Sequence, residues 1–336
     1  MIEVSVVILN YNRYGDTREA IESVLAQRGI NLEVIVIDNG SRDGSQERLR
    51  EEYGDRIQLV LNPGNIGFSS ANNQGFKLAK GEWIGILNND AVADPLWLKR
   101  SLEKARSNEK IGIVIPKIIN FYEREKLDGI GVGFWLDGIS RAEYRGEIDC
   151  KRMDLAKPEI FSGCACLFSR RMLEELGGFD EDFFAYSEDT DLGIRARLFG
   201  WEIGYEPRAM VFHKYSKTTS DKEGYPGFKL YLVERNRLWV LFRYYPWYLI
   251  LISPMTSFVR YLYLGIRAWR KSEADAKSIR TALIISLLKA ILKGLITIPH
   301  QLMWRRKWVR ERNAKAKIRR IIFEHFIPLS KISQLD

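Results

Sequence analysis

The chain has 336 residues, of which 46% are hydrophobic, enough for a packed interior over about two domains. This composition excludes a largely disordered chain, and three cysteines without framework spacing exclude a secreted disulfide scaffold. The net charge is +9, and basic runs such as Arg305–Lys307 and Lys315–Arg320 lie in the last third. A basic tail suits anionic lipid or nucleic acid, unless the runs form only a solvated face.

The beginning of the chain alternates between apolar runs and helical stripes. Strands are predicted at 4–10, 32–37, 57–61 and 83–87, and helices at 17–27, 46–53 and 72–79. This alternation predicts a doubly wound parallel sheet with right-handed crossovers. Polar clusters follow three of the strands, at Asn10–Asn12, Asp38–Ser41 and Asn88–Asp90. Because ligands bind beyond the carboxyl ends of such strands, we expect the three clusters to line one crevice.

The middle of the chain predicts a mixed region. Helices are predicted at 96–105 and 192–199, and strands at 111–119, 160–169, 203–205 and 210–212. Cys164 and Cys166 are separated by one residue, whereas a redox motif needs two. We therefore expect both cysteines to pack in the buried strand at 160–169.

The last third contains two apolar helical segments, Trp247–Val259 and Thr281–Trp304. Arg260 follows the first, and Lys289 and Lys293 lie one helical turn apart within the second. No stretch is expected to reach the roughly 20 apolar residues of a clean membrane span, and no leader peptide is visible. The pattern predicts amphipathic helices in a membrane interface, or, alternatively, helices that cover the catalytic core.

Six segments, in their order and spacing, resemble glycosyltransferase family 2 and, within it, its rhamnosyltransferase-like members. These segments are 4–12, 34–45, 62–76, 87–98, 161–201 and 211–216. The resemblance implies an α/β GT-A fold, with a Rossmann-like nucleotide-binding sheet and a mixed acceptor-side region. It also implies a catalytic domain at 1–225, with nucleotide-sugar binding in 1–95 and the acceptor side and catalytic base in 96–225. A basic helical region, 226–336, would follow.

The strand-end clusters and the resemblance together predict the residues that bind the nucleotide sugar. They are Asn10, Asn12, Asp38, Asn65, Gly67, Asn88 and Asp90. A carboxylate at Asp38 can accept hydrogen bonds from a pyrimidine N–H or a ribose hydroxyl, and Gly67 permits close backbone approach to a ligand. The residues alone also permit ordinary turns: an Asx turn at Asp38, a glycine turn at 65–67 and a polar turn at 88–90.

The resemblance also implies a metal site. Asn88-Asn89-Asp90 matches the family's Asp-x-Asp motif with Asn in the first position, so that Asp90 would bind the cation. His213 matches the family's metal-binding histidine, although a lone histidine is more often an ordinary structural residue. Imidazole together with carboxylate and phosphate oxygens suits Mn²⁺ better than Mg²⁺, so we expect a divalent cation, with Mn²⁺ preferred.

An acidic segment carries the predicted catalytic base. Glu188-Asp189 matches the family's Glu-Asp pair, whose second acid is the base, and this assigns the role to Asp189. Glu188 would either supply the charge that raises the pKa of Asp189 or hold the acceptor. Asp191 fits a helix cap or a first-turn acid. The alternative for the whole cluster is a solvated acidic helix start.

The resemblance implies an inverting hexosyltransferase, for instance for rhamnose, in cell-envelope polysaccharide synthesis. It would move a sugar from a nucleotide diphosphate to a hydroxyl of a glycan or lipid-linked glycan. We expect a cytoplasmic enzyme, peripheral on the inner face of the membrane, with no nucleic-acid partner. One alternative is a sugar nucleotidyltransferase, which would carry a glycine-rich phosphate loop where Asn10–Arg13 stands. Another is a degenerate membrane-bound scaffold, which the retained Asp38, Asp90, Asp189 and His213 argue against.

Overall fold

The computed structural model describes residues 2–214, 225–271, 277–309 and 312–332. Tyr215 and Ser216, which end the last of the resembling segments, lie outside the described residues. The chain divides into two compact units. The first comprises the described residues of 1–132 and 144–218, and the second comprises those of 133–143 and 219–336.

The described strands, in chain order, are β1 (Val4–Asn10), β2 (Leu32–Asp38), β3 (Gln58–Leu61), β4 (Trp83–Leu87), β5 (Ala91–Ala93), β6 (Ile111–Asn120), β7 (Leu127–Gly129), β8 (Val132–Phe134), β9 (Ser140–Ala142), β10 (Ala165–Ser169) and β11 (Glu202–His213). The α-helices are α1 (Tyr14–Leu25), α2 (Ser45–Tyr53), α3 (Phe68–Leu78), α4 (Trp97–Arg106), α5 (Arg170–Leu176), α6 (Glu188–Leu198), α7 (Tyr225–Tyr244), α8 (Trp247–Lys271), α9 (Lys277–Ile296), α10 (Ile298–Trp308), α11 (Arg312–Glu324) and α12 (Leu329–Ile332). Short 3₁₀ turns occur at Gly54–Arg56, Lys151–Leu155 and Glu181–Phe183.

The sheet of the first unit has the strand order β3-β2-β1-β4-β10-β6-β11-β5, and β7 pairs with β6. Its first four strands are parallel, which confirms the sheet predicted from the alternation of strands and helices. The second half is mixed, because β10 runs antiparallel between β4 and β6. The start of β10 therefore lies beside the carboxyl end of β4, where Ala165 is opposite Leu87.

Burial on both faces explains why β1 is a near-continuous apolar run. Val4, Val6 and Ile8 are fully buried in one hydrophobic cluster with the apolar stripe of α1. On the opposite face, a methyl group on Gly75 of α3 would lie 2.5 Å from Val7 Cγ1, so glycine allows the helix to pack directly on the strand. This packing fixes the carboxyl end of β1 relative to both neighbouring helices.

Three predicted strands had the wrong bounds. The predicted strand at 160–169 begins only at Ala165, because the N–H of Gly163 donates to the side chain of Asp189 at 3.1 Å instead of joining the sheet. The predicted strands at 203–205 and 210–212 are parts of the single strand β11, whose register with β6 shifts between Glu206 and Met210. The shift accommodates Pro207, which has no N–H to donate.

The two apolar segments of the second unit also differ from prediction. Trp247–Ile266, within α8, is long and apolar enough to cross a membrane by length and composition, so the expectation that no stretch reaches this length was wrong. The predicted helix at 281–304 is instead the α9–α10 pair, bent by 55°. Pro299 lies in the first turn of α10, where its missing N–H is tolerated, and its ring prevents α9 from continuing.

A buried ionic cluster neutralises Arg260 of α8. Its guanidinium donates to Asp137 at 2.8 Å and makes a two-pronged contact with Glu234 at 2.9 and 3.0 Å. Arg237 of α7 donates to Glu234 at 2.8 Å, and all four side chains are buried. Burial alone would raise the pKa of Glu234, but the two guanidinium groups hold it far below its usual range. The arginine that interrupts the apolar sequence is therefore paired inside the unit.

Candidate functional site

The first two polar clusters meet at the carboxyl ends of β1 and β2. Asn10 Nδ2 donates to Asp38 Oδ2 at 2.6 Å and to Ser41 Oγ at 3.1 Å, while the N–H of Asn12 donates to Ser41 Oγ at 2.9 Å. Asn10 and Asp38 are fully buried. The structure thus brings together residues that lie about one strand-helix-strand unit apart in the sequence.

The carboxylate of Asp38 also shapes its own loop. Its Oδ1 accepts the N–H of Ser41 at 2.8 Å and Gln46 Nε2 at 2.6 Å. The first of these contacts joins Asp38 to the backbone three residues on, one residue further than the Asx turn that the residues alone permitted. An ionised carboxylate offers about four acceptor positions, and three are used by these partners and Asn10. Asp38 therefore holds the strand-end loop in place and retains an acceptor position.

Asn65 and Gly67 lie in the loop before α3. Asn65 Oδ1 accepts from the N–H of Gly67 at 2.9 Å and from Asn39 Nδ2 at 3.0 Å. Gly67 has φ +90°, and a methyl group there would lie 2.7 Å from the Phe184 ring and carbonyl oxygen. The close approach that requires glycine is therefore that of Phe184, a neighbour that the sequence did not indicate.

The predicted metal ligands converge at the ends of β4 and β11. Asp90 Oδ1 lies 3.1 Å from His213 Nε2, and the other ring nitrogen, Nδ1, lies 2.7 Å from Asp128 Oδ2. All three side chains are buried. Asn88 is half-buried and is held by its backbone N–H, which donates to the Cys164 carbonyl at 2.8 Å. Asp128 also pairs with Arg145 at 3.2 Å.

This arrangement fits the donor set of a divalent cation. A metal-bound histidine ordinarily donates its second ring N–H to a carboxylate, which is the position that Asp128 occupies. Among the described residues, no group of three or more His, Cys, Asp or Glu side chains is arranged to hold a metal ion. If a cation bound here, Asp90 and His213 would offer two ligands, and other ligands would have to come from a bound molecule such as a diphosphate.

Electrostatics reinforce the contacts of His213. Burial lowers its pKa, but the adjacent Cys164 and the hydrogen bonds with Asp128 and Asp90 outweigh that effect and raise it well above the usual value. Burial in turn raises the pKa of the Cys164 thiol. Cys164 and Cys166 are both buried and free, as predicted.

The acidic pair begins helix α6. Glu188 is 6% exposed, and Asp189 is half-buried beside it. Asp189 Oδ2 accepts the N–H of Gly163 at 3.1 Å, and its Oδ1 accepts the N–H of Thr190 at 2.6 Å. Burial is the main reason that the pKa values of both acids are raised. The fully buried Asp191 pairs with Arg195 at 2.8 Å. The cluster is therefore not a solvated helix start.

Hydrogen bonds between neighbouring residues connect the strand-end clusters with the acidic pair. Gly163, which binds Asp189, precedes Cys164, whose carbonyl accepts from Asn88. Thr17 donates to Asn10 Oδ1 at 2.7 Å and lies 3.4 Å from Asn89 Nδ2. The predicted strand-end clusters and the acidic pair are thus joined through neighbouring residues of the first unit.

Three residues of this neighbourhood were missed by sequence reasoning: Asp128, Gly163 and Phe184. Asp128 lies in a short Leu-Asp-Gly strand far from His213 in the sequence, and nothing local distinguishes it. Gly163 could have been noticed, since it directly precedes the two cysteines inside a segment that resembles the family. Phe184 has φ +65°, which is unusual for an aromatic residue, but this is visible only in the structure.

Comparisons with known proteins identify the family of this chain. The family model described as Glycosyl transferase family 2 matches residues 5–177. The poly-beta-1,6-N-acetyl-D-glucosamine synthase of Staphylococcus epidermidis is 30% identical over 218 residues, which cover 62% of this chain and 49% of that protein. The glucosyl-dolichyl phosphate glucuronosyltransferase of Haloferax volcanii is 26% identical over 232 residues, covering 63% and 69%. The chain therefore spans about half the length of the first relative.

A solved structure is also similar. It is the mannosyltransferase PcManGT from Pyrobaculum calidifontis in complex with GDP-Man and Mn²⁺, with a TM-score of 0.53 and 19% identity. The alignment covers 92% of this chain and 88% of that one. At this identity the likeness bears on the fold alone.

Proposed function

The chain belongs to glycosyl transferase family 2 and has the GT-A fold, and we propose that it transfers a sugar from a nucleotide diphosphate to a hydroxyl group of a glycan, with inversion. One observation carries the proposal. The buried Asp90–His213 pair and the acid Asp189 are linked through the loop that contains Gly163 and Cys164. A leaving-group site and a candidate base therefore lie in one neighbourhood.

In this proposal Asp189 accepts the proton of the acceptor hydroxyl. The N–H groups of Gly163 and Thr190 fix the orientation of its carboxylate, and burial raises its pKa towards the working pH, where a general base is most effective. As the hydroxyl loses its proton to Asp189, its oxygen bonds to the anomeric carbon on the face opposite to the diphosphate, and the bond from that carbon to the diphosphate oxygen breaks as the nucleoside diphosphate leaves. One displacement of this kind inverts the configuration and needs no covalent intermediate.

Asp90 and His213 would hold the divalent cation, and Asp128 would fix the ring of His213. When bound, the cation would supply positive charge that neutralises the diphosphate leaving group. The mixed carboxylate and imidazole ligands favour Mn²⁺ over Mg²⁺, and the similar mannosyltransferase was solved with Mn²⁺. The buried strand-end residues Asn10 and Asp38 would hold the loops around the nucleotide.

The names of the relatives support a glycan or lipid-linked glycan acceptor. One relative is a synthase of poly-N-acetylglucosamine, and another acts on a glucosyl-dolichyl phosphate. On this basis we propose that the chain acts in polysaccharide synthesis for the cell envelope. Transfer of a hexose, including rhamnose, stays a prediction from the sequence.

The second unit supports association with a membrane. Large apolar side chains recur on one face of α8 and one face of α9, and each is about half exposed or more: Leu251, Met255, Phe258, Leu288, Leu292 and Leu295. Soluble proteins rarely expose apolar surface of this extent. Arginine side chains lie over tryptophan rings nearby, with Arg305 over Trp247 and Arg243 over Trp304. We propose that these helices lie in the inner membrane interface, with the site on the cytoplasmic side.

Incubation with a panel of nucleotide sugars and glycan acceptors tests the catalytic proposal. We expect release of a nucleoside diphosphate that depends on the acceptor. Release of pyrophosphate would indicate a sugar nucleotidyltransferase, and no release with any donor would indicate a degenerate scaffold.

Flotation with anionic liposomes tests the membrane proposal. We expect the full chain to float, and the double substitution Leu251→Asn and Phe258→Asn to reduce the floating fraction, because burial of apolar surface contributes about 25 cal/mol per Å². Leu155→Asn is a matched control, since Leu155 is an equally exposed leucine of the first unit. Wild-type protein that stays at the bottom in low salt would contradict the proposal.

A further inference from the structure

Glu188 has an unusual environment for a carboxyl group. It is 6% exposed, and its Oε2 has no hydrogen-bond partner among the residues that the structure describes. Buried polar atoms in proteins are nearly always hydrogen-bonded, and each exception calls for an explanation. The neighbouring Asp189, by contrast, accepts hydrogen bonds from Gly163 and Thr190.

The space beside Glu188 is bordered by a glycine and an aromatic ring. A methyl group on Gly163 would lie 3.6 Å from Glu188 Oε1 and 3.6 Å from Phe68 Cζ, which is ordinary van der Waals contact on both sides. The ring of Phe68 is held by packing on Phe179, with centroids 5.9 Å apart. The backbone N–H of Phe68 donates to the Phe184 carbonyl at 2.6 Å, and this hydrogen bond fixes the start of α3 against the segment that leads into α6.

The charged groups around Glu188 indicate that, of the two neighbouring acids Glu188 and Asp189, Glu188 holds a proton. The acids that act on it are Asp189 and Asp191, both on α6, and the latter is neutralised by Arg195. The phenyl ring of Phe68 and the backbone of Gly163, which also border this space, are uncharged. Hydrogen bonds stabilise the charge on Asp189, whereas burial and the charge of Asp189 raise the pKa of Glu188 well above its usual value.

We propose that Glu188, Gly163 and Phe68 form a subsite for a hydroxyl group of a sugar ring, in which the protonated Glu188 carboxyl donates a hydrogen bond to that hydroxyl. The inference rests on the proposed function. A neutral donor beside an aromatic ring matches a pyranose, which presents hydroxyl groups around apolar C–H faces. Glu188 is then a substrate-binding acid, distinct from Asp189, and it does not serve as the charge that tunes the base.

Either the donor or the acceptor sugar can supply the hydroxyl, and steady-state kinetics separate the two. We expect Glu188→Gln, which keeps the size and an N–H donor, to raise KM for the affected substrate less than Glu188→Ala does. Glu188→Ala loses one neutral hydrogen bond and should raise KM for one sugar substrate by about tenfold. The affected KM identifies the donor or the acceptor. A monodeoxy analogue that lacks the bound hydroxyl should bind equally to wild type and Glu188→Ala.

Gly163→Ala probes the same space without removing the acid. Its methyl group fits without a clash, so the fold should be kept while KM for the same substrate rises. Gly15→Ala is the matched control, because Gly15 has open space around it and lies outside the site. The pH profile gives a second measurement: wild type should lose affinity for that substrate at alkaline pH as Glu188 ionises, and Glu188→Gln should not.

Two results would overturn the subsite. One is a Glu188→Ala variant with unchanged KM for both substrates, and the other is a Glu188→Gln variant whose KM for the affected substrate rises as much as that of Glu188→Ala. If wild type itself releases no nucleoside diphosphate from any nucleotide sugar, the proposed function fails and the subsite fails with it. If wild type is active and the Glu188 variants are unaffected, only the subsite is wrong.

Discussion

Replacement of Asp128 with Asn tests whether His213 is a metal ligand held in place by a buried carboxylate. Asp128 Oδ2 lies 2.7 Å from His213 Nδ1, and Oδ1 lies 3.2 Å from Arg145. Asparagine keeps the size and one oxygen but removes the charge. If its amide nitrogen faces His213, the ring must carry its proton on Nε2, and Nε2 is then unable to bind a cation.

The structure sets the expected magnitude. Loss of a carboxylate that orients a ligating histidine typically weakens metal affinity by about 10- to 100-fold, which corresponds to about 1.4–2.7 kcal/mol. The contact in this protein is at the short end of charge-assisted hydrogen bonds, and Asp128 is 8% exposed, so solvent screens it little. We therefore expect the upper part of this range for Asp128→Asn.

The assay is a calorimetric titration of Mn²⁺ into the protein with saturating nucleoside diphosphate, for wild type and Asp128→Asn. Asp154→Asn is the control, because its carboxylate pairs with Lys117 and its side chain is 42% exposed, away from His213. The reasoning is refuted if Asp128→Asn binds Mn²⁺ within about twofold of wild type with an unchanged melting temperature.

Three further outcomes are expected. Chelation should abolish transfer and Mn²⁺ should restore it, since Asp90 and His213 together place a carboxylate and an imidazole at one point; full activity in excess chelator would remove the metal assignment. Asp189→Asn should lower kcat by about 10²–10⁴-fold while the nucleotide still binds, and normal turnover would mean that Asp189 is not the base. Arg260→Leu leaves Glu234 and Asp137 short of a buried partner and should cost about 3–5 kcal/mol in urea unfolding; an unchanged midpoint would contradict the ionic cluster's role.

Local patterns were sufficient to predict several parts of this protein. The alternation of apolar runs and helical stripes predicted the parallel strands β1 to β4, because a strand buried on both faces must be apolar throughout. The apolar run around the cysteines predicted that Cys164 and Cys166 are buried. The polar clusters were located at strand ends for the same reason, since the apolar run ends and polar residues begin where the buried strand ends.

Local patterns failed where a contact depends on a distant residue. The predicted strand at 160–169 is short where Gly163 donates to Asp189. Arg260 was expected to interrupt an apolar helix, but Glu234 and Asp137 neutralise it inside the unit. None of these partners is close enough in sequence to be detected from the hydrophobic periodicity of a single helix or strand.

The sequence by itself therefore determined the elements of the nucleotide-binding half and the kinds of residue at their ends, because periodicity and burial act over a few residues. Only the tertiary structure decided which side chains meet. The antiparallel insertion of β10 beside β4 places the loop before it between Asn88 and Asp189. The pairing of β11 with β5 and β6 brings His213 to Asp90 and Asp128. Strand pairing over long sequence separations has no signature in any single segment, which is why Asp128 became visible only in the fold.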